Sequence, residues 1–440
     1  MPDTSSIKNW YLTLFKDFEN QLNGEKSGAF HRFRKEAIDR FAHLDFPDTH
    51  QEDWRFTDIG PILEHSFAFA PGTNPSAPDK NVLERNRLSS GHTLVFVNGF
   101  INENASDISS LPDGVTAGSL ARLLKSGDSS AVENVRRYAP AVEDAFTALN
   151  SAFAVDGAYI AVPDNTTVED PINVIFISQP TDKIIIQPRN LVIAGRNSRV
   201  KVIEQYVGAN DGVYFTNAVT AIHGSEGSTI DSTIVQSESR NSYHVATTAA
   251  SLESGAGYTS HAISLGAKIY RHNLNVALTG EGSSTNLEGL YLLSGDQLSD
   301  THSFIDHIAP HCTSGEHYKG ILDGRSRGVF NGKIMVRKGA QQTNSYQENR
   351  NIILSNDAKV DTKPQLEIFA DDVKCSHGAT VGQLSKESMF YLRSRGISEE
   401  EARLILIYAF ASDVLKDMTT DELKTRLENL LSQRFLGTEK

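Results

Sequence analysis

Apolar residues near the start of the chain recur at the spacing of three to four positions that amphipathic helices show. Leu12, Phe15 and Phe18 form one apolar stripe, and Phe33 and Phe41 belong to a second. The polar residues between them would face water. This pattern predicts that roughly the first ninety residues are mainly helical.

A short β-hairpin is predicted after these helices. The apolar run 93–97 reads as a strand, Asn98-Gly99 is a dipeptide typical of a tight type I′ turn, and Phe100-Ile101 would be the return strand. The helical pattern then returns over 117–155. The region before residue 158 is therefore predicted to be mostly helical with one hairpin.

The pattern changes to short β-rich runs from about residue 158 to 382. Glycine, asparagine, aspartate or serine bounds each run, and no convincing helix separates them. Such regular repetition is typical of a sandwich, a propeller or a β-helix, and strands rich in small polar residues favour the β-helix. The clearest predicted strands are 172–178, 190–194, 200–207, 213–222, 229–235, 243–250, 270–278 and 287–293.

The last part of the chain carries clear helix signals. Ser385 can cap a helix that ends at Gly396, and 398–401 is a capping box that opens a second helix. Because the run 402–411 is apolar on nearly every side, the β region or a partner protein must cover it. We thus expect three regions, described by their bounds: 1–157, mostly helical; 158–382, the β-helix core; and 383–440, a helical C-terminal region.

Composition and charge restrict the function. The net charge of −13 is a poor basis for nucleic-acid binding, because phosphate contacts need clustered cations. The start lacks a basic segment followed by an apolar one, and no stretch approaches the roughly 18 apolar residues of a membrane span. Only two cysteines occur, which fits a reducing compartment. We expect a cytoplasmic protein that binds neither nucleic acid nor membrane.

Potential metal ligands are densest between Asp300 and His317. This segment contains His302, His307 and Cys312, which are weak candidates for a transition-metal site. Their spacing matches no recognised ligand pattern. The alternative, a polar face of one β-helix turn, is the interpretation that the residues alone favour.

Cys375 and His377 form a second candidate site. In a strand they lie two residues apart on one face, where an imidazole could stabilise a thiolate or share a soft metal with it. A lone buried cysteine also behaves as a small apolar residue, so the spacing leaves both interpretations open. The chain has no phosphate-binding loop and no standard metalloprotease or paired-cysteine motif, so we expect it to bind no nucleotide.

Several long motifs in fixed order resemble the SufB/SufD family, the scaffold subunits of the SUF machinery for iron–sulfur cluster assembly. The stretch 370–382 is more similar to SufD than to SufB, and 54–57 is similar to the short N-terminal signature of the family. The motifs that carry the resemblance are YKGILDG at 318–324, VFNGKI at 329–334, QTNSYQENRN at 342–351, KPQLEI at 363–368, ADDVKCSHGATVG at 370–382 and MFYLRSRGI at 389–397.

The resemblance implies a right-handed parallel β-helix core flanked by N-terminal and C-terminal α-helical regions. It implies a non-enzymatic subunit that binds a SufB-like β-helix paralogue, and also a SufC-like ABC-type ATPase through the C-terminal helices that begin near Ser385. Cys375 and His377 match SufD residues implicated in binding iron or a transient, nascent iron–sulfur cluster shared with the partner subunit. Whether the chain also forms a homodimer stays open.

The sequence leaves two alternative functions open, a carbohydrate-active enzyme and a purely structural subunit. Some β-helix proteins are carbohydrate-active enzymes, but these are usually secreted and carry paired carboxylates, whereas Asp371 and Asp372 would point to opposite faces of a strand. The other alternative is a purely structural subunit of the complex that contributes no ligand to iron or to a cluster.

Overall fold

The computed structural model describes residues 4–21, 28–69, 77–126, 129–138 and 144–435. Its centre is a parallel β-solenoid of about eight turns, with helices before and after it in the chain. The predicted mainly β fold, a parallel β-helix with flanking helices, is confirmed.

Helices flank the solenoid on both sides in sequence. Those before it are short apart from the first two, and those after it are separated by single turns. The α-helices are α1 Thr4–Gln21, α2 Ala29–His43, α3 Gly60–Leu63, α4 Lys80–Asn86, α5 Leu120–Lys125, α6 Ser129–Arg137, α7 Ala145–Ala152, α8 Lys386–Ser394, α9 Glu399–Leu415 and α10 Asp421–Phe435.

The predicted hairpin is present. Asn98 and Gly99 both adopt positive φ, at 49° and 89°, as a type I′ turn requires. The predicted helical stretch 117–155 is wrong at its start, where Ser119 ends a strand and caps the following helix through its side chain. The strands of this part are β1 Ala68–Phe69, β2 His92–Val97, β3 Phe100–Ile101 and β4 Thr116–Ser119.

Two parallel sheets form the solenoid, and each predicted strand overlaps one that is present. From β8 onward, even-numbered strands stack in one sheet and odd-numbered strands in the other. The strands are β5 Ala158–Val162, β6 Ile172–Ser178, β7 Ile184–Ile186, β8 Arg189–Ala194, β9 Arg199–Gly208, β10 Phe215–Gly224, β11 Thr229–Ser237, β12 Tyr243–Leu252, β13 Gly257–Ser264, β14 Ile269–Leu278, β15 Ser284–Leu293, β16 Leu298–His307, β17 Thr313–Leu322, β18 Arg327–Val336, β19 Thr343–Ile353, β20 Lys359–Ile368 and β21 Val373–Gly382.

The lumen between the sheets holds the main apolar core, and alternate residues of every strand point into it. Ile222, Leu287 and Ile334 are among its buried side chains. The lumen also buries polar side chains, and near its C-terminal end Gln347 and Asn349 of β19 are fully buried. The lumen therefore combines apolar and polar side chains.

The predicted bounds 1–157, 158–382 and 383–440 stay a prediction as a division into domains. β5 begins at Ala158 and β21 ends at Gly382. However, β1, β2 and β4 come from the N-terminal region and pair with strands of the solenoid. The sheets thus extend beyond the core as the sequence analysis bounded it.

A buried ion pair joins the N-terminal region to the outer face of the solenoid. The Arg271 guanidinium lies 2.6 Å from the Asp300 carboxylate, stacks 4.2 Å above the Trp54 ring and donates to the Asp53 carbonyl at 2.9 Å. Thr57 also donates a hydrogen bond to Asp300. The segment 53–57 is therefore held by one carboxylate and one guanidinium.

The charge of Asp300 depends on its neighbours. Burial alone would raise the pKa of this carboxyl, but Arg271 and His302 outweigh that effect and hold the pKa well below its usual range. The side chain is buried and ionised at neutral pH. Loss of either partner would leave an uncompensated charge in the interior.

The C-terminal helices pack on the outer face of the odd-numbered sheet. Ile407 and Leu415 of α9 belong to one apolar cluster with Ile263 and Leu290 of the solenoid. This intramolecular contact covers one side of the apolar run 402–411. The predicted capping box of α9 is confirmed by the Ser398 and Glu401 contacts.

The contribution of the Arg271–Asp300 ion pair to stability can be tested by substitution. Asp300→Ala should lower the free energy of unfolding by about 3 to 5 kcal/mol, because it leaves the buried guanidinium unpaired. The control is Asp296→Ala, which breaks an exposed pair with Arg325 and should cost no more than about 1 kcal/mol. Urea denaturation at pH 7 measures both losses of unfolding free energy. Equal losses would show that the buried ion pair stabilises the fold no more than the exposed one.

Candidate functional site

The C-terminal end of the solenoid is an open sheet edge. β20 and β21 are the terminal strands of the two sheets, and within the described residues no strand pairs with their outer sides. Every residue of both strands is half-buried or exposed. Unpaired backbone N–H and C=O groups of this kind are a template for a strand of another chain.

Cys375 and His377 lie on this edge, in β21. They are two residues apart in one strand and share the face that points to the lumen, as the spacing predicts. Cys375 is half-buried and packs against the lumen core, whereas His377 is exposed at the mouth of the solenoid. A ligand that approaches the open end meets both side chains.

Burial raises the pKa of the Cys375 thiol, although a backbone hydrogen bond from Ser345 lowers it in part. In the isolated chain the thiol is therefore protonated at neutral pH. A thiolate, which is the form that binds metal, needs compensation from a cation or from a partner surface. In the isolated chain, Cys375 therefore presents a thiol and not a thiolate.

Two rows of polar side chains, one in register with Cys375 and one with His377, continue into the lumen. Cys375 is in register with Ser345, whose hydroxyl lies 2.8 Å from the hydroxyl of Ser314 on the next turn. His377 is in register with Gln347, whose Nε2 donates to Glu316 at 2.6 Å. The site thus extends two turns below the exposed edge.

Glu316 is the buried acid of this end of the lumen. Burial raises its pKa to about 7, against the lowering effects of hydrogen bonds from Gln347 and Ser303. Its Oε1 is buried without a hydrogen-bond partner within the described residues. Near neutral pH this carboxyl group is therefore balanced between its neutral and charged forms.

The weaker metal candidates lie in three different environments. His302 is on the outer face of the even-numbered sheet, with its Nε2 3.1 Å from Asp300. His307 points into the lumen, where its Nε2 lies 2.9 Å from the Ser314 hydroxyl and burial lowers its pKa to about 4. Cys312 is fully buried in the apolar core.

The structure does not bring these residues together with one another. In the part of the chain that the structure describes, no three histidine, cysteine, aspartate or glutamate side chains converge where they could hold a metal ion. A metal bound by Cys375 and His377 would therefore need further ligands from outside the described residues.

The sequence analysis included Glu316 only as a member of the segment from Asp300 to His317, and it did not single out Gln347. Gln347 stands in the polar run 343–351, where the alternation of apolar and polar residues that marks a buried strand face is missing. One signal could have found them. Gln347 follows Glu316 by 31 residues and precedes His377 by 30, which is the length of one solenoid turn.

The C-terminal helices expose a second apolar surface. Phe390 and Tyr391 of α8 are 74% and 57% exposed, and α8 buries none of its residues. Ile405 and Tyr408 of α9 are also exposed, on the side away from the solenoid contact. Large apolar side chains grouped on one surface are typical of a protein interface.

None of the helices in the described ranges is long and apolar enough to cross a bilayer.

Comparison with protein families finds two matches that together span most of the chain. The model of the SufBD protein N-terminal region matches residues 5–174. The model described as SUF system FeS cluster assembly, SufBD core domain, matches residues 176–410. The second match includes the whole open edge with Cys375 and His377.

Curated relatives match over nearly their full length. An iron–sulfur cluster assembly SufBD family protein of Synechocystis is 35% identical over 427 residues, which are 94% of this chain and 93% of the relative. The iron–sulfur cluster assembly protein SufD of Escherichia coli is 30% identical, over 92% of each chain. The chloroplastic protein ABCI7 of Arabidopsis thaliana is 30% identical, over 95% of this chain and 89% of the relative.

The raised pKa of Glu316 predicts a pH-dependent stability. A carboxyl group whose pKa is higher in the folded chain stabilises the fold at low pH, and that contribution is lost as the pH rises through 7. Glu316→Gln removes the ionisation, so the free energy of unfolding at pH 8.5 should rise by about 1 to 3 kcal/mol relative to wild type. At pH 5 the difference should be small.

Urea denaturation at both pH values measures this effect, with the exposed Glu281→Gln as the control. The control should change stability by the same small amount at both pH values. If Glu316→Gln behaved like the control, Glu316 would have to be ionised over the whole range.

Proposed function

Because this chain belongs to the SufBD family of iron–sulfur cluster assembly proteins, we propose that it is a SufD-like scaffold subunit of the SUF system. It acts without catalysing a reaction of its own, and the iron or nascent cluster is its cargo. The observation that carries this proposal is the open strand edge that presents Cys375 and His377 together at the mouth of the solenoid.

Ligand counting supports a site shared between subunits. A cluster held by protein thiolates ordinarily takes four cysteines, and this chain has two. One of them, Cys312, is fully buried in the apolar core. Cys375 and His377 therefore act as a partial ligand set, which a second protein completes.

The proposed partner at this edge is a SufB-like β-helix paralogue. A paralogue with the same architecture can continue both sheets by adding its own strands to β20 and β21. Its approach covers Cys375 and His377, and their ligands then lie inside an interface. A second copy of this chain has the same architecture, so a homodimer is the competing occupant when the paralogue is absent.

The C-terminal helices are the proposed docking site of a SufC-like ABC-type ATPase. Phe390 and Tyr391 on α8 supply exposed aromatic side chains of the kind that dominate protein interfaces. The ATPase brings its own nucleotide site, and this chain binds none. The complex works in the cytoplasm.

The purely structural alternative differs in one respect only. It keeps both partners but assigns no ligand role to Cys375 and His377. Both SufBD family models match this chain, and no feature of the described residues favours a carbohydrate-active enzyme.

The ligand role predicts different effects for the two cysteines. Cys375→Ala should reduce iron and labile sulfide per reconstituted complex at least fivefold while the complex still assembles, since the thiol lies at the solvent edge of the fold. Cys312→Ala should lower stability by about 1 to 2 kcal/mol, because it removes a buried sulfur, yet leave cluster content within twofold.

The measurement is iron, sulfide and cluster absorbance per complex, after gel filtration has shown that both variants assemble. Wild-type cluster content in Cys375→Ala and in His377→Ala would favour the structural alternative.

The docking site predicts loss of ATPase binding in a surface variant. Removal of the whole C-terminal region would expose Ile263 and Leu290, so a double substitution, Phe390→Ser with Tyr391→Ser, is the cleaner change. We expect ATPase affinity to fall at least tenfold, with thermal stability unchanged because neither side chain is buried.

Ile308→Ser is the matched control. Ile308 is also an exposed large apolar residue, but it lies in the solenoid just after β16. Binding isotherms with the purified ATPase should separate the two variants, and equal affinities would place the docking site elsewhere.

A further inference from the structure

The imidazole of His377 is exposed, but the partner proposed above would cover it. This inference rests on that proposed function. Once the edge is covered, a neutral imidazole that binds a metal through one ring nitrogen still carries an N–H on the other. A buried donor of this kind is unfavourable unless it has an acceptor.

An acceptor without a partner lies in register with His377. Gln347 is fully buried on the lumen face of β19 and is the strand neighbour of His377. Its Nε2 donates to Glu316 on the turn below, at 2.6 Å. Its Oε1 is buried and has no hydrogen-bond partner within the described residues.

The orientation of this carboxamide is fixed from two sides. Glu316 holds the nitrogen, which leaves the oxygen on the other branch of the amide. Across the lumen, Gly332 makes room for the side chain, since a Cβ at that position would lie 2.1 Å from Nε2 of Gln347. The oxygen is then the polar atom of this side chain without a partner among the described residues, and the strand next to β19 at the open end is β21, which carries His377.

The neighbouring amide on the same strand face is engaged differently. Asn349 donates to the Tyr318 carbonyl at 3.2 Å and lies 3.3 Å from the Tyr291 hydroxyl. Its register neighbour on β21 is Ala379, which has no polar group on its side chain. Of these two amides, Gln347 is the one that has a spare acceptor and a candidate metal ligand as its register neighbour.

We propose that Gln347 is a positioning residue, which accepts a hydrogen bond from one ring nitrogen of His377 and directs the other ring nitrogen to the cargo metal. Glu316 fixes the carboxamide in the required orientation. Ligating histidines commonly donate their second N–H to a neighbouring acceptor, which sets the tautomer and the orientation of the ring. Here that acceptor comes from the turn below the ligand.

The test compares single-residue variants in the complete complex with paralogue and ATPase, and measures the affinity for ferrous iron by competition with a chelator. Gln347→Leu, which keeps the volume and removes the acceptor, should lower iron affinity about tenfold. Gln347→Glu keeps an acceptor oxygen, and a proton shared between the two carboxyl groups replaces the Nε2 donor to Glu316, so this variant should not lower iron affinity. Asn349→Leu, the matched control, should lower thermal stability but leave iron affinity within twofold.

Gln347→Asn guards against misfolding of the leucine variant. It keeps the lumen polar but withdraws the oxygen from His377 by one methylene, so it should lower iron affinity as Gln347→Leu does. Equal affinities in wild type, Gln347→Leu and Gln347→Asn would overturn the inference. So would an equal loss in Gln347→Leu and Gln347→Glu, because rescue by an acceptor oxygen would then be absent.

His377→Ala separates this inference from the proposed function. If His377→Ala lowers iron affinity and Gln347→Leu does not, the ligand role stands and the positioning role is wrong. If neither His377→Ala nor Cys375→Ala changes iron binding, the proposed ligand role fails and the inference fails with it.

Discussion

Backbone hydrogen bonds join each turn of the solenoid to the turns on either side, and among the described strands those at the two ends pair on one side alone. At the N-terminal end the sheets finish in short antiparallel strands, β3 of two residues and β4 of four, which leave little unpaired edge. At the C-terminal end β20 and β21 offer ten residues each with their outer sides unpaired within the described ranges. Since unpaired edges promote association, this end fits a chain that functions inside a complex.

The open edge also explains why polar side chains can be accommodated in the last turns of the solenoid. Stability of the solenoid comes mainly from the apolar side chains in the middle of the lumen, such as Leu274 and Leu287, which are fully buried. The last turns also bury polar side chains, including Glu316 and Gln347. Buried polar groups reduce stability where they lack partners, and such groups are tolerated best where a ligand or a second protein can provide them.

Local signals in the sequence were enough for the elements but not for the lumen. Apolar runs with turn residues at their ends located the strands, and Ser385, Gly396 and Ser398 marked helix ends correctly. The residues alone favoured a β-helix over a sandwich or a propeller through the small polar residues of the strands, although the choice depends on contacts between distant strands. The polar run 343–351 gave no indication of which face is buried, so Gln347 could be recognised only from the register of neighbouring turns.

The short path between the two proposed binding surfaces has a mechanical consequence. On β17, Glu316 points into the lumen, and Lys319 points outward to α9, where it donates to Asp413 at 2.7 Å. β17 pairs with β19, and β19 pairs with β21, so two steps of a parallel ladder connect α9 with Cys375. In the proposed complex, where Cys375 and His377 supply part of a ligand set, opening the interface would be enough to weaken the hold on the cargo. An ATPase on the C-terminal helices would therefore not need to reach the cluster in order to release it.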